Sequence, residues 1–214
     1  MTISEMEQAS PGVWKITPLG EPAFFLREDY LSSLSAAALA GLLRSGSPVE
    51  LEEGQAGDLL SAALSYAAEL RAMAYLARAE QCRSGLTAKL AKKGHDGLHA
   101  GRALDYLEGK GYLDDRRFAG AWLRSRALDH AEGRLRLGAE LAARGIGRDD
   151  AAAALDEFFS ENDEGELCRR ALERSMRTCR DRDRLFRSLL RKGFTAAEIR
   201  GALAGMADSA GRDS

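Results

Sequence analysis

Valine occurs twice and isoleucine four times in 214 residues. Branched side chains of this kind pack best on a pleated surface, so their scarcity excludes a large α/β sheet. Proline is almost as rare: Pro11, Pro18, Pro22 and Pro48 are the four, and the 166 residues from Val49 onward contain none. Proline breaks helix interiors, so a proline-free stretch of that length suits uninterrupted helices. The longest apolar run, Ala36 to Leu43, is far short of the ~20 residues that cross a bilayer. The opening MTISEMEQ lacks the basic-then-apolar pattern of an export signal. A cytoplasmic protein without membrane attachment is the expectation. Cys82, Cys168 and Cys179 form no CxxC pair and read as ordinary thiols.

Catalytic signatures are missing too. No GxxxxGK[ST] phosphate loop occurs, and His95 and His99 are four apart without the glutamate of an HExxH zinc site or a third ligand. The residues therefore point to no enzyme, no metal and no cofactor. What fills the chain is alanine and leucine, 37 and 31 residues, which lose little entropy in a helix. Charged residues reach 30%, yet the net charge is only −2.

Charge and turn residues divide the chain. Residues 1–56 carry three basic and eight acidic side chains and all four prolines. There VWKITPL and AFFLRED read as short strands around the turn Pro18–Pro22, followed by a helix near Leu34 to Leu43. A small strand-containing module is expected over 1–55, separable from the rest of the chain.

The remainder repeats itself. KLAKKGH (Lys89–His95), ELAARGI (Glu140–Ile146) and SLLRKGF (Ser188–Phe194) each place Leu four residues before a glycine and a cation directly before it. The glycine permits the left-handed turn that closes a helix, and the cation complements the negative helix end. Downstream, Ala100, Ala151 and Ile199, then Leu104, Leu155 and Leu203, then Leu107, Phe158 and Met206 keep the same offsets, the steps of one helix face. Asp96, Arg148 or Asp149, and Thr195 stand where caps of these helices belong. Further apolar-periodic stretches precede them: Leu64–Arg78, Phe118–Leu128 and Leu167–Arg177. The expected architecture is mainly α, three tandem three-helix repeats in an elongated array (56–113, 114–160 and 161–208) with a tail over 209–214.

One segment carries more than periodicity. In GYLDDRRFAGAWLRSR (Gly111–Arg126), Gly111 ends a helix, Asp114 or Asp115 caps the next, and Phe118, Trp122 and Leu123 form a buried stripe. With GRLRLGAELAARGI (Gly133–Ile146) and FRSLLRKGFTAAEIRGAL (Phe186–Leu203) it resembles the RecX family of RecA regulators. FLREDYL and GSPVELEEGQ are similar to the small leading β domain of some members. Gly85 departs from the acidic helix residue usual in the first repeat, and Arg134 from a frequent proline. The resemblance implies a protein that binds RecA and the RecA filament on single-stranded DNA, limiting filament growth, ATP hydrolysis and strand exchange; a monomer is the expectation.

Electrostatics marks a candidate surface. Leu167 to Lys192 holds ten basic and three acidic side chains. Arg169, Arg170, Arg174, Arg177, Arg180, Arg184 and Arg187 are its candidate partner-binding residues, since guanidinium forks carboxylate and phosphate alike. Two readings stay open at this point: a protein-binding regulator, with at most weak direct DNA contact, or a helical nucleic-acid-binding module. A solvated helix face with internal ion pairs is the bland account of the same charges.

Overall fold

The computed structural model describes residues 1–44 and 47–210, with 206–210 described by their backbone alone. It is mostly helical with a small amino-terminal antiparallel sheet, and it divides into two compact units.

The first unit comprises Met1–Ala79 and Gly85–Leu113. Strands β1 (Thr2–Ser10), β2 (Val13–Pro18), β3 (Phe24–Arg27) and β4 (Val49–Glu50) pair in the order β3-β2-β1-β4. The sequence pattern marks β2 and β3 but not β1 or β4. β1 exposes nearly all its side chains apart from Ile3, so it shows no apolar alternation. Helix α1 (Ala36–Leu43) is capped by the Ser35 hydroxyl, which accepts from the Ala38 amide. Helix α2 (Glu53–Leu76) opens with a reciprocal cap between Glu52 and Gln55.

α2 serves two cores. Leu59 and Ala62 close the sheet's core with Ile3, Ile16, Leu26 and Leu39, while Ala72 packs with Leu86, Leu90, Ala100, Leu104 and Leu107. These last come from α3 (Arg83–Ala91) and α4 (Gly97–Gly109). The expected edge of the amino-terminal module at residue 55 thus falls inside α2. Between the two cores Glu69, 4% exposed, is held by the Arg27 guanidinium at 2.6 and 2.7 Å and by the Tyr30 hydroxyl at 2.9 Å. A carboxyl group buried this deeply costs stability unless it is hydrogen-bonded, as it is here.

The second unit comprises Glu80–Ser84 and the chain from Asp114. Its helices are α5 (Asp115–Asp129), α6 (Arg134–Ala142), α7 (Arg148–Glu161), α8 (Glu164–Met176), α9 (Arg182–Arg191) and α10 (Ala196–Ala210). Residues of both trios, α5–α7 and α8–α10, join one continuous core that includes Leu123, Leu141, Leu155, Phe158, Leu172, Leu189 and Phe194.

The repeated closure is the same three times. Gly94, Gly145 and Gly193 have φ of 86, 79 and 88°. The amide just past each glycine reaches back to a buried leucine carbonyl: His95 to Leu90, Ile146 to Leu141 and Phe194 to Leu189, at 3.2–3.3 Å. This is the bonding that satisfies carbonyls left over at a helix end. Downstream, Leu104 and Leu155 are buried, but Leu203 is only half-buried and Ala202 beside it takes the inner place. The Met206 side chain and residues 211–214 of the expected tail lie outside the described residues. Of the expected caps, Asp96 accepts amide hydrogens from Leu98 and His99, and Thr195 and Glu198 cap reciprocally. α7 instead starts from Gly147 with no side-chain cap, so neither Arg148 nor Asp149 fills that role.

Candidate functional site

The arginine-rich segment forms α8, the turn 177–181 and α9. Asp163 and Asp181 fix the helix starts by accepting from the Glu166 and Arg184 amides at 2.7 and 2.9 Å. Leu167, Cys168, Ala171, Leu172, Leu185 and Leu189 turn inward. The arginines are left to the outside, except that Arg170 is half-buried.

Their pairing is sparse. Arg169 meets the Glu166 carboxylate one turn back. Arg174 donates to the Asp129 carbonyl at 2.9 Å and Arg187 to the Asp183 carbonyl at 3.2 Å, contacts that leave their charge uncompensated. Arg170, Arg177, Arg180 and Arg184 have no side-chain partner among the described residues. Asp181 caps the α9 amides with its carboxylate rather than forming an ion pair with an arginine side chain; the Arg184 amide first, then the Arg184 and Arg187 charges, hold its carboxyl below the usual range. Ser175, Thr178, Cys179, Arg184, Leu185, Arg187, Ser188 and Arg191 line an open hollow of about 500 Å³ between α8 and α9. Its wall has hydroxyls and guanidiniums and no carboxylate, a lining suited to an anionic group.

The second trio treats its arginines differently. Arg126 forks Glu132 at 2.6 and 3.1 Å, and Arg136 reaches Glu132 at 3.2 Å and Glu140 at 3.3 Å. Arg144 holds Glu140 at 2.9 Å. Trp122 lies under both Arg126 and Arg144, 5.5 and 4.4 Å from its ring. Arg134, at the first position of α6, bridges Asp156 at 2.6 Å and Glu164 at 3.1 Å. Phe118 and Trp122 are accordingly half-buried while Leu123 and Ala119 go fully inside, and Asp114 is the cap, accepting from Arg117. Sequence reasoning misses this network because several of its carboxylates lie six to thirty residues from their arginines.

His99 has both ring nitrogens engaged, Nδ1 with Asp96 and Nε2 with the Ser61 hydroxyl at 3.1 Å. Among the described residues no group of three histidine, cysteine or acidic side chains could hold a metal ion. Burial, then the Glu198 charge, pushes the Cys168 thiol up to about 11, so it stays protonated near neutral pH. No described helix is long and apolar enough to cross a membrane.

Comparison with known proteins agrees with the repeat geometry. Residues 114–155 match the model of the second three-helix domain of RecX. The regulatory protein RecX of Treponema pallidum (strain Nichols) is 38% identical over 150 residues, 70% of this chain and 92% of the relative. That of Halorhodospira halophila is 34% identical over 149 residues, covering 66% and 89%. A crystal structure of regulatory protein RecX superposes with a TM-score of 0.69 at 25% identity, over 94% of this chain and 98% of that one. RecX from Lactobacillus salivarius shares the fold, with a TM-score of 0.59 at 19% identity over 66% of this chain and 96% of that one. The glycine-closed helices, the paired second trio and these extensive alignments lead to one assignment: the chain belongs to the RecX family of regulatory proteins.

Proposed function

We propose that this chain is a non-enzymatic regulator that binds RecA and the RecA filament on single-stranded DNA. It limits filament growth and with it ATP hydrolysis and strand exchange, and so acts in homologous recombination, DNA repair and the SOS response. It works in the cytoplasm as a monomer, through the three-helix units 56–113, 114–160 and 161–208. The observation that carries the reading is the contrast in pairing: among the described residues Arg170, Arg177, Arg180 and Arg184 form no ion pair, on a fold whose second trio pairs Arg126, Arg134, Arg136 and Arg144 with carboxylates. Repeated units meeting repeated protomers gain by multivalency, because each contact raises the effective concentration of the next. Adding the protein to preformed RecA filaments tests this: ATP hydrolysis and filament length should both fall, and unchanged values would refute it.

The hydroxyl-and-guanidinium hollow also favours a second reading, direct contact with nucleic-acid phosphates. The net charge of −2 opposes it, since dedicated DNA binders are commonly basic. A salt titration on naked single-stranded DNA separates the two, a steep loss of affinity with salt marking phosphate binding.

A further inference from the structure

The second unit contains its own example of how one repeat receives the next. The closing turn of α9 docks on the start of α6: the Gly133 amide donates to the Lys192 carbonyl at 2.9 Å and the Leu135 amide to the Gly193 carbonyl at 3.3 Å. The fit is tight, because a Cβ on Gly193 would lie 2.3 Å from the Arg136 nitrogen and one on Gly133 2.4 Å from the Gly193 oxygen. The closing turn of α6 makes the corresponding contact with Ser84, 2.6 Å from a Cβ placed on Gly145. Cys82 Sγ lies 3.6 Å from the Arg144 carbonyl at the same joint. The α9 end thus offers two carbonyls to amides at the start of α6, and the α6 end offers the Arg144 carbonyl to the Cys82 thiol just before α3.

Counting back from each closing glycine, Arg184, Arg187, Ser188 and Arg191 on α9 occupy the places of Arg136, Ala139, Glu140 and Ala143 on α6. On α6 that face is one wall of a groove whose other wall is Leu190, Arg191 and Gly193 of the docked turn. On α9 the same face borders the open hollow, and among the described residues no helix end is docked upon it. The substitutions are directional: two alanines and a glutamate give way to two arginines and a serine. The place of Gly133 is taken by Asp181, whose carboxylate caps the Arg184 amide, so an occupant of this face meets the arginine side chains rather than the helix-start amides.

We propose that this vacant joint face on α9 receives an acidic helix-ending segment of a protein partner, held by Arg184, Arg187 and Arg191. The internal joints supply the geometry, a helix end with its carbonyls offered to the face. The change of lining supplies the charge, because the negative end of a helix dipole with nearby Asp or Glu complements three guanidiniums. A second copy of this chain is a poor occupant. A Cβ on Gly94 of its own free closing turn would meet nothing within 4 Å, but that turn carries Lys92 and Lys93, which would set like charge against the arginines. The proposal rests on the RecA-binding reading and specifies its contact surface.

The test uses the full chain and purified RecA without DNA. An Arg184→Ala, Arg187→Ala, Arg191→Ala variant should bind RecA about tenfold more weakly than the unmodified protein. A benzoylphenylalanine at Ser188 should cross-link to a RecA segment rich in Asp or Glu at a helix end. If the unmodified protein binds RecA but the variant binds equally well, the joint assignment falls and the RecA reading survives. If the unmodified protein does not bind RecA, both fall. In a separate reaction with a single-stranded oligonucleotide added, a cross-link to that oligonucleotide in place of RecA would make the occupant nucleic acid, and arginine-dependent self-association in sedimentation would make it a second copy. Either result overturns the proposal.

Discussion

The second and third helix trios share a core and a closing turn, yet use most of their arginines in opposite ways. In the second, Glu132 and Glu140 collect Arg126, Arg136 and Arg144, and the guanidiniums of Arg126 and Arg144 cover Trp122. In the third, the carboxylates of Asp163 and Asp181 are spent on helix amides, and most of the arginines face solvent unpaired. Local charge density therefore says little about function by itself. What separates a structural arginine from an available one is whether a carboxylate is left over to meet it.

The shared core gives the largest predicted effect. Leu141→Ala and Leu189→Ala should each cost about 2–5 kcal/mol, both leucines being fully buried in one cluster. Because the cluster spans both trios, the two changes should shift the same unfolding transition, followed by Trp122 fluorescence in a Trp14→Phe background. Separate transitions for the two trios would break the equivalence.

The joint comes next. Gly193→Ala forces a left-handed alanine, about 1–2 kcal/mol, and adds overpacking of about 1–3 kcal/mol against Arg136. Gly94→Ala has nearly the same φ but open space around it, so only the first cost applies. Denaturant melts should show the larger loss for Gly193; equal losses would mean that the joint yields freely.

Glu132→Gln sharpens the contrast in pairing. Burial would raise the Glu132 carboxyl, but the Arg126 fork and then the Arg136 charge hold it below its ordinary range. A carboxyl depressed in this way contributes stability that is present above its unfolded value near 4.5 and is lost as pH falls through its lower folded value. The variant should lose about 1–3 kcal/mol at neutral pH and show a flatter stability profile below pH 4.5. An unaltered acid limb would contradict this role. The smallest effect belongs to the third trio: alanine at Arg177, Arg180 or Arg184 should change stability by no more than about 0.5 kcal/mol.

Much of the helical scaffold is readable because its signals are local. Leu90, Leu141 and Leu189 sit at a fixed distance from glycines that only a left-handed turn explains, and β2 and β3 are apolar beside prolines. The misses have physical causes. β1 shows a polar face, α2 runs through the point where composition changes, and Leu203 yields its inner place to Ala202. At the candidate site the sequence identifies the arginine cluster but not its pairing. That depends on which helix ends consume Asp163 and Asp181 and on contacts such as Arg134 with Glu164, which only the fold brings together.

The most direct test compares charge reversals in the two trios on preformed RecA filaments. Arg177→Glu, Arg180→Glu and Arg184→Glu in one protein, and in another Arg124→Glu with Arg148→Glu, exposed second-trio arginines outside both the paired network and the strip, should both fold normally by circular dichroism. Suppression of ATP hydrolysis by the first should require at least about tenfold more protein than the unmodified chain, while the second should act at nearly the original concentration. A third-trio variant that suppresses hydrolysis at the unmodified concentration would contradict the account, and the arginine strip would then be a solvated face.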